Sequence, residues 1–76
     1  MITVPLTTRP PHVERMVEEH IELADRIAKL RAFMGEGDIY DRMESLDRRL
    51  LRAQARAMET YQLVLELRLW RAGVPI

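Results

Sequence analysis

The middle of the chain carries the sequence Phe33-Met34-Gly35-Glu36-Gly37-Asp38, which lies between two long stretches with helical patterning. Glycine adopts the left-handed backbone conformation that closes many helices. These residues therefore predict that a first helix ends near Met34 and that the chain reverses direction over residues 35–43. The expected fold class is all-α, with two antiparallel helices forming a hairpin.

The first helix is predicted over residues 12–34. Its apolar residues recur at spacings of three and four, which is the pattern of one helical face. They are Val13, Met16, Val17, Ile21, Leu23, Ala24, Ile27, Leu30, Phe33 and Met34. Pro11 suits the first helical turn. The opposite face is charged, and the pairs Glu22–Arg26 and Asp25–Lys29 have the favourable four-residue spacing.

Residues 1–11 contain three prolines among β-branched residues, and this composition predicts an extended N-terminal arm. The arm is too short and too interrupted for a secretory signal or a membrane span. The sequence therefore predicts a cytoplasmic protein with no membrane partner. The lack of cysteine agrees with a reducing compartment.

The second helix is predicted over residues 44–72, with Asp41 and Glu44 spaced as a capping box at its start. One of its faces carries Leu46, Leu50, Ala53, Ala57, Tyr61, Val64 and Arg68. An adjoining face carries Leu51, Met58, Leu65 and Leu69. With Leu63, Leu67 and Trp70, the last three turns are apolar on most sides, and one partner helix covers only part of them.

The length of 76 residues allows a single domain, residues 1–76, near the lower limit for a self-sufficient core. Small domains are commonly stabilised by disulfides, a metal or oligomerisation, and this chain has no cysteine and two histidines. We therefore expect a homo-oligomeric helical bundle. The residues themselves leave dimer and hexamer open.

Twelve basic and twelve acidic side chains give a net charge of zero, which argues against a general duplex DNA binder. A small anionic ligand needs only a few well-placed cations and stays possible. No combination of nucleophile, glycine-rich phosphate loop or metal-ligand spacing is present. The sequence therefore predicts no catalytic residues, no metal site, no cofactor and no enzymatic activity.

Two groups of basic residues each allow two interpretations. The row Arg48, Arg52 and Arg56 could grip phosphates, but the acidic residues of the first helix favour salt bridges or solvent exposure. Arg68 lies at the apolar end of the second helix, where a buried guanidinium needs a partner. That partner is either a carboxylate or a ligand phosphate.

The N-terminal cluster Arg9-Pro10-Pro11-His12, with Arg15 one turn later, combines cations, a planar ring and a helix N-terminus. The free N–H groups of a helix N-terminus attract anions, so the cluster suits a nucleotide. An ordinary exposed arm explains these residues equally well. Trp70, Tyr40 and Tyr61 are interpreted first as core or interface aromatics and second as base-stacking surfaces.

The spacing of polar and apolar residues resembles a family of small phage proteins, the anti-CBASS cyclic-oligonucleotide sponges and their crAssphage-related relatives. The resemblance covers residues 11–69. In the first helix it consists of Pro11-His12-x-x-Arg15-Met16-x-x-Glu19 and Leu23-x-x-Arg26-Ile27-x-Lys29-Leu30-x-x-Phe33-Met34. In the second it consists of Leu50-Leu51-x-x-Gln54-x-x-Ala57-Met58-x-x-Tyr61-x-x-x-Leu65-x-x-Arg68-Leu69.

The resemblance implies a hairpin that assembles into a hexamer and holds cyclic dinucleotides, and possibly cyclic trinucleotides, between protomers. It implies sequestration without cleavage in the host cytoplasm during infection, so that CBASS effectors are not activated. Arg26 and Lys29 become candidate phosphate contacts, and Arg68 becomes a candidate pocket residue. His12 takes the place where many relatives have a stacking tyrosine.

The chain departs from the family pattern at two further positions. Arg48 stands where glutamine is common, and Glu44 stands where proline or serine often starts the second helix. Two other functions are compatible with the sequence. One is an interaction module that docks a protein partner through the apolar end of the second helix, and the other is a small helical enzyme similar to chorismate mutase.

Overall fold

A computed structural model describes residues 9–75 and contains three helices in that range. Helix α1 spans Pro11–Glu36, α2 spans Ile39–Arg42, and α3 spans Ser45–Arg71. The two long helices pack against each other, which confirms the all-helical class. The predicted extended arm falls mainly on residues 1–8, which lie outside the described residues, while Pro11 is already part of α1.

The ion pairs between the long helices establish that α1 and α3 are antiparallel. His20 of α1 lies 3.1 Å from Glu66 of α3, while Arg31, further along α1, pairs with Glu59, which comes earlier in α3. Residue numbers thus rise along one helix as they fall along the other. Two N–H groups of Arg31 donate to the two oxygens of Glu59, so this pair is bidentate.

The core of the hairpin consists of two small apolar clusters between α1 and α3. The first contains Val13, Leu69 and Val74, and the second contains Leu23, Ile27 and Leu65. Met16 packs against both clusters. Leu51, Met58, Leu65 and Leu69 are buried or half-buried, whereas the face with Leu46, Leu50, Tyr61 and Val64 is exposed. Of the two faces predicted for α3, the one with Leu51, Met58, Leu65 and Leu69 is therefore the face that α1 covers.

The turn between the long helices differs from the prediction. Residues 35–43 are not all irregular, because Ile39–Arg42 forms a single turn of helix, α2. The Arg42 N–H donates to the Asp38 carbonyl oxygen at 3.0 Å, and the side chains of the same two residues pair at 2.7 Å. These two contacts, four residues apart, explain the extra turn of helix.

Two predictions about how the long helices end and begin at this turn are wrong, namely the left-handed glycine that closes α1 and the capping box that starts α3. Gly35 lies inside α1, and Gly37, which ends α1, is extended with φ −124°. Among residues 9–75 the positive φ occurs at Gly73, after α3. The predicted capping box is also wrong, because Glu44 itself is the N-cap of α3 and makes no side-chain capping hydrogen bond.

Candidate functional site

Two long edges flank the core, because each helix has side chains on either side of its buried stripe. We call one of them the cationic edge. Its members are His12, Arg15, Glu19 and Arg26 of α1 with Tyr61 and Arg68 of α3. The other we call the Trp70 edge, and it contains the His20–Glu66 pair together with Leu63, Leu67 and Trp70. The antiparallel packing places the α1 and α3 members of each edge on the same side of the hairpin.

On α1 the cationic edge follows from a spacing of seven residues. His12, Glu19 and Arg26 are seven residues apart, and seven residues are close to two full turns of an α-helix. Arg15 lies about one turn after His12, and all of these side chains are exposed. They border the buried residues Val13, Leu23 and Ile27, so packing of the core fixes the direction in which the edge points.

Tyr61 of α3 lies near Glu19 of α1 at this edge. A hydrogen bond with the Glu19 carboxylate is the main cause that raises the pKa of Tyr61 above its ordinary value. Loss of solvation acts in the same direction, and the positive charge of Arg68 lowers the pKa of Tyr61. An acidic, a phenolic and a cationic side chain are therefore close together here. Such a cluster offers donors and one acceptor to a ligand.

Two of the predicted phosphate contacts, Arg26 on the edge and Lys29 on the outer side of α1, already have local partners. Arg26 Nη2 lies 3.9 Å from Glu22 Oε2, and Lys29 Nζ lies 2.8 Å from Asp25 Oδ2. Both predicted four-residue pairs are thus confirmed. All four side chains are largely exposed, and exposed pairs of this kind contribute little to stability. A phosphate can therefore replace these carboxylates at small cost.

Arg9 lies apart from the other predicted ligand contacts. Its Nη1 is 3.5 Å from Oε1 of Glu14, in the first turn of α1. Glu14 is on the side of α1 away from the cationic edge. Tyr61 and Arg68 of α3 thus lie near Glu19 of α1, and His12, Arg15 and Arg26 are on the same side of α1 as Glu19. Lys29, two residues after the buried Ile27, faces away from α3, and Arg9 is on another side of α1.

The cationic edge is too long for one small ligand to reach both of its ends. His12 and Arg26 are separated by 14 positions, which corresponds to ~21 Å along a helix with a rise of 1.5 Å per residue. If both ends contact the same ligand, they must come from different copies of the chain.

The predicted burial of Arg68 is wrong for the single chain, because its side chain is exposed. It lies on the side of α3 that faces the cationic edge rather than under α1. The arginine row of α3 has different partners from those expected. Arg48 Nη1 donates to the Asp41 carbonyl oxygen at 3.1 Å, and Arg52 Nη1 donates to the Tyr40 hydroxyl at 2.8 Å. These residues hold α2 against the start of α3.

Glu19 and Tyr61 were not among the predicted ligand contacts, although both lie within the cationic edge. The sequence does contain a signal for each of them. Glu19 is seven residues from both His12 and Arg26, and Tyr61 is seven residues before Arg68. The same helical argument that groups the cations therefore includes these two residues.

Two further findings concern the part of the chain that the structure describes. Within residues 9–75, His, Asp and Glu side chains do not come together in groups of three that could hold a metal ion. No helix in that same range is long and apolar enough to cross a membrane.

The hairpin and its charged edge define a small helical protein suited to bind an anionic ligand. A family model described as Sequestin matches residues 10–71, and the chain belongs to this family. The match covers both long helices and all the residues of the cationic edge. The family name denotes sequestration, which describes a binding protein rather than an enzyme. Neither the curated proteins nor the solved structures include a match to this chain.

Proposed function

We propose that this protein binds cyclic di- and trinucleotide second messengers in pockets between copies of the chain and holds them without cleavage. The observation that supports the proposal is the cationic edge, where Tyr61 and Arg68 of α3 lie near Glu19 and on the same side of the hairpin as His12, Arg15 and Arg26 of α1. In an infected cell such binding would lower the free messenger in the host cytoplasm. CBASS effectors would then stay inactive.

The chemistry of the edge suits a ligand that has both phosphates and bases. Arg26 and Arg68 of the edge, and Lys29 one turn after Arg26, supply cations for the phosphodiester groups, and charge-assisted hydrogen bonds of this kind are strong. His12 supplies a planar ring for a base, and Tyr61 supplies a larger one. At the N-terminus of α1 the Val13 and Glu14 N–H groups donate to the Pro10 carbonyl oxygen and Pro11 has no N–H group, so the helix dipole is the main contribution of this end to binding an anion.

The apolar stripe of α3 supports the placement of the pocket between copies. This stripe consists of Leu46, Leu50, Ala53, Ala57 and Val64, which are exposed in the single chain. It borders Tyr61 and Arg68 on the same side of α3. A second copy that covers the stripe would bring its own cations to the edge, and we propose a hexamer as the complete assembly.

Isothermal titration of the full chain with a panel of cyclic di- and trinucleotides tests the proposal. At least one ligand should bind, and chromatography should recover it intact. Arg26→Ala and Arg68→Ala should each weaken binding about tenfold or more, because a hydrogen bond to a charged group contributes about 1.5–3 kcal/mol. Arg49→Ala is the matched control, because Arg49 is exposed on another side of α3.

A protein-docking function is the second candidate, and the exposed apolar side chains at the end of α3 favour it. Leu63, Leu67 and Trp70 are all more than half exposed. The combined variant Arg26→Ala, Lys29→Ala and Arg68→Ala separates the two functions. Sequestration predicts that this variant no longer protects a phage from CBASS, whereas docking through the end of α3 predicts unchanged protection.

A further inference from the structure

Arg48 and Arg52 carry two positive charges beside the turn of the hairpin. Within residues 9–75 neither guanidinium group forms an ion pair, because the ion pairs in that range engage other cations. Arg48 Nη1 donates instead to the Asp41 carbonyl oxygen at 3.1 Å. Arg52 Nη1 donates to the Tyr40 hydroxyl at 2.8 Å, and both acceptors are neutral. The expected salt bridges to the acidic residues of α1 do not form at these two positions, so their charge is open to a ligand.

We propose that Arg48 and Arg52 form a second anion site, which binds the phosphate group of a phosphomonoester. Such a phosphate carries a charge of about −1.5 to −2 at neutral pH, which matches two guanidinium groups without a carboxylate partner. Each phosphodiester group of the ligand proposed for the cationic edge carries a single negative charge. The two sites therefore differ in the phosphate chemistry that they favour.

The spacing of the two arginines suits one phosphate group. Residues four apart on a helix have Cβ atoms about 5–6 Å apart on the same face, so two guanidinium groups can contact one ligand from adjacent turns. A guanidinium has five N–H donors, and the contacts at the turn use one donor of each arginine. The remaining donors are sufficient for paired hydrogen bonds to phosphate oxygens.

The contacts with α2 also fix the positions of both side chains before a ligand binds. Tyr40 is half-buried, and its hydroxyl lies 3.5 Å from the Arg48 carbonyl oxygen while it accepts the hydrogen bond from Arg52. Because both arginines reach α2, their guanidinium groups lie beside the first turn of α3, where the helix dipole also favours an anion. Side chains that are already ordered lose less conformational entropy on binding.

The neighbouring cations are compensated by carboxylates, unlike the proposed pair. Arg56, one turn after Arg52, lies near the Glu59 carboxylate, since the charge of Arg56 contributes to the lowered pKa of Glu59. Arg42 pairs with Asp38 at 2.7 Å. The proposed site is therefore limited to the two arginines that contact neutral acceptors.

The proposed site is separate from the cationic edge. Arg52 and Arg68 are 16 positions apart on α3, which corresponds to ~24 Å along the helix, and they lie on different sides of it. The apolar stripe that contains Leu50 is also on another side of α3 from Arg52, so a copy that covers the stripe would leave the site open. Phosphate binding at the turn thus goes beyond the proposed function and does not depend on it.

NMR spectroscopy of the ¹⁵N-labelled full chain tests the proposal, because the Nε–Hε signals of Arg48 and Arg52 report on this site alone. Methyl phosphate is the phosphomonoester probe and dimethyl phosphate is the phosphodiester probe, both at constant ionic strength. Methyl phosphate should shift both signals to saturation. Its affinity should exceed that of dimethyl phosphate about fivefold or more, because it brings additional negative charge. Signals that do not shift, or that shift without saturation, would overturn the proposal.

Substitutions separate a site from general attraction to positive charge. Arg52→Ala should weaken methyl phosphate binding about tenfold or more, because it removes hydrogen bonds to a charged group. Arg52→Lys keeps the charge but should also weaken binding, because an ammonium group lacks the planar fork of a guanidinium. Arg71→Ala is the matched control, since Arg71 is exposed at the far end of α3, and it should leave the affinity unchanged. Equal losses in Arg52→Ala and Arg71→Ala would overturn the proposal.

Discussion

Tyr61 has a phenolic hydroxyl placed between one acidic and one basic side chain, and its ionisation reports on the state of the cationic edge. Hydrogen bonding with Glu19 raises the pKa of Tyr61, while Arg68 opposes this effect. We expect Glu19→Gln to lower the pKa of Tyr61 towards its ordinary value, because a neutral amide does not repel the tyrosinate. A spectrophotometric titration in a Tyr40→Phe background isolates this single tyrosine.

The control for this titration is Glu18→Gln, since Glu18 is exposed and lies away from the cationic edge. It should leave the pKa of Tyr61 unchanged. If the pKa of Tyr61 is unchanged in Glu19→Gln as well, the Glu19 carboxylate does not contact the Tyr61 hydroxyl in solution. Because the folded-state pKa is raised, the associated stabilisation is complete below the ordinary tyrosine pKa and disappears as pH rises through the folded value.

Residue spacing alone could predict much of the cationic edge, because His12, Arg15 and Arg26 lie on one helix and share a face whatever α1 packs against. The cross-helix contacts could not be predicted in the same way. Whether Glu19 meets Tyr61 depends on the axial register of α3 against α1, and that register is fixed by the packing of core side chains. A seven-residue spacing gives the face of each helix but not its partner.

At the scale of helices, the contact between α1 and α3 depends on a few fully buried leucines. Leu65 is 1% exposed and packs with Leu23 and Ile27, whereas Ile21 on α1 is 62% exposed. Leu65→Ala should lower the free energy of unfolding by about 2–5 kcal/mol, because it leaves a cavity in the core. Ile21→Ala should change it by no more than about 0.5 kcal/mol. Chemical denaturation of both variants measures the difference, and equal losses would contradict the packing described.

The bidentate pair between Arg31 and Glu59 gives the two helices a pH-dependent connection. The hydrogen bond from Arg31 holds the pKa of Glu59 below its ordinary value, with the charges of Arg31 and Arg56 acting in the same direction. A lowered carboxyl pKa stabilises the fold above the ordinary glutamate pKa, and this contribution is lost as pH falls through the folded value. The Tm of Glu59→Gln should therefore be below that of the original chain at neutral pH.

The two Tm values should converge in acid, because protonated Glu59 and glutamine are both neutral. The control variant Glu36→Gln changes an exposed residue at the end of α1, and it should follow the original chain at every pH. A constant Tm difference between Glu59→Gln and the original chain across this pH range would mean that the charge of Glu59 is not its source.

The ends of the long helices illustrate how far local signals determine an element. The predicted ranges 12–34 and 44–72 differ from the observed Pro11–Glu36 and Ser45–Arg71 by one or two residues at each end. The spacing of the apolar residues is therefore enough to predict the extent of each long helix to within two residues. The turn could not be predicted in detail, because α2 depends on the Asp38–Arg42 contact and on Arg52 reaching Tyr40 from the next helix.

At the scale of the whole molecule, a single hairpin leaves several large apolar side chains exposed. Fully burying one such side chain contributes about 1.5–3 kcal/mol, so covering the stripe of α3 with another copy would stabilise so small a protein strongly. The proposed assembly and the proposed pocket depend on the same face of α3. A variant that blocks this face should therefore remove both.

Ala57→Glu introduces a carboxylate into the centre of that stripe on α3. Ala28→Glu introduces a carboxylate at an exposed position of α1, outside the stripe. The first change should prevent assembly and weaken ligand binding, because an unpaired charge is costly to bury. The second change should leave both intact. Size-exclusion chromatography with light scattering reports the assembly state, and equal behaviour of the two variants would argue against this interface.

Native mass spectrometry after incubation with the panel of cyclic di- and trinucleotides tests the proposed sequestration most directly, because one spectrum gives both the number of chains and the mass of the ligand. We predict a complex of several identical chains that retains intact cyclic nucleotide, and loss of that ligand in Arg68→Ala. A spectrum in which no member of the panel is retained, or in which the retained ligand has the mass of a cleaved product, would contradict it.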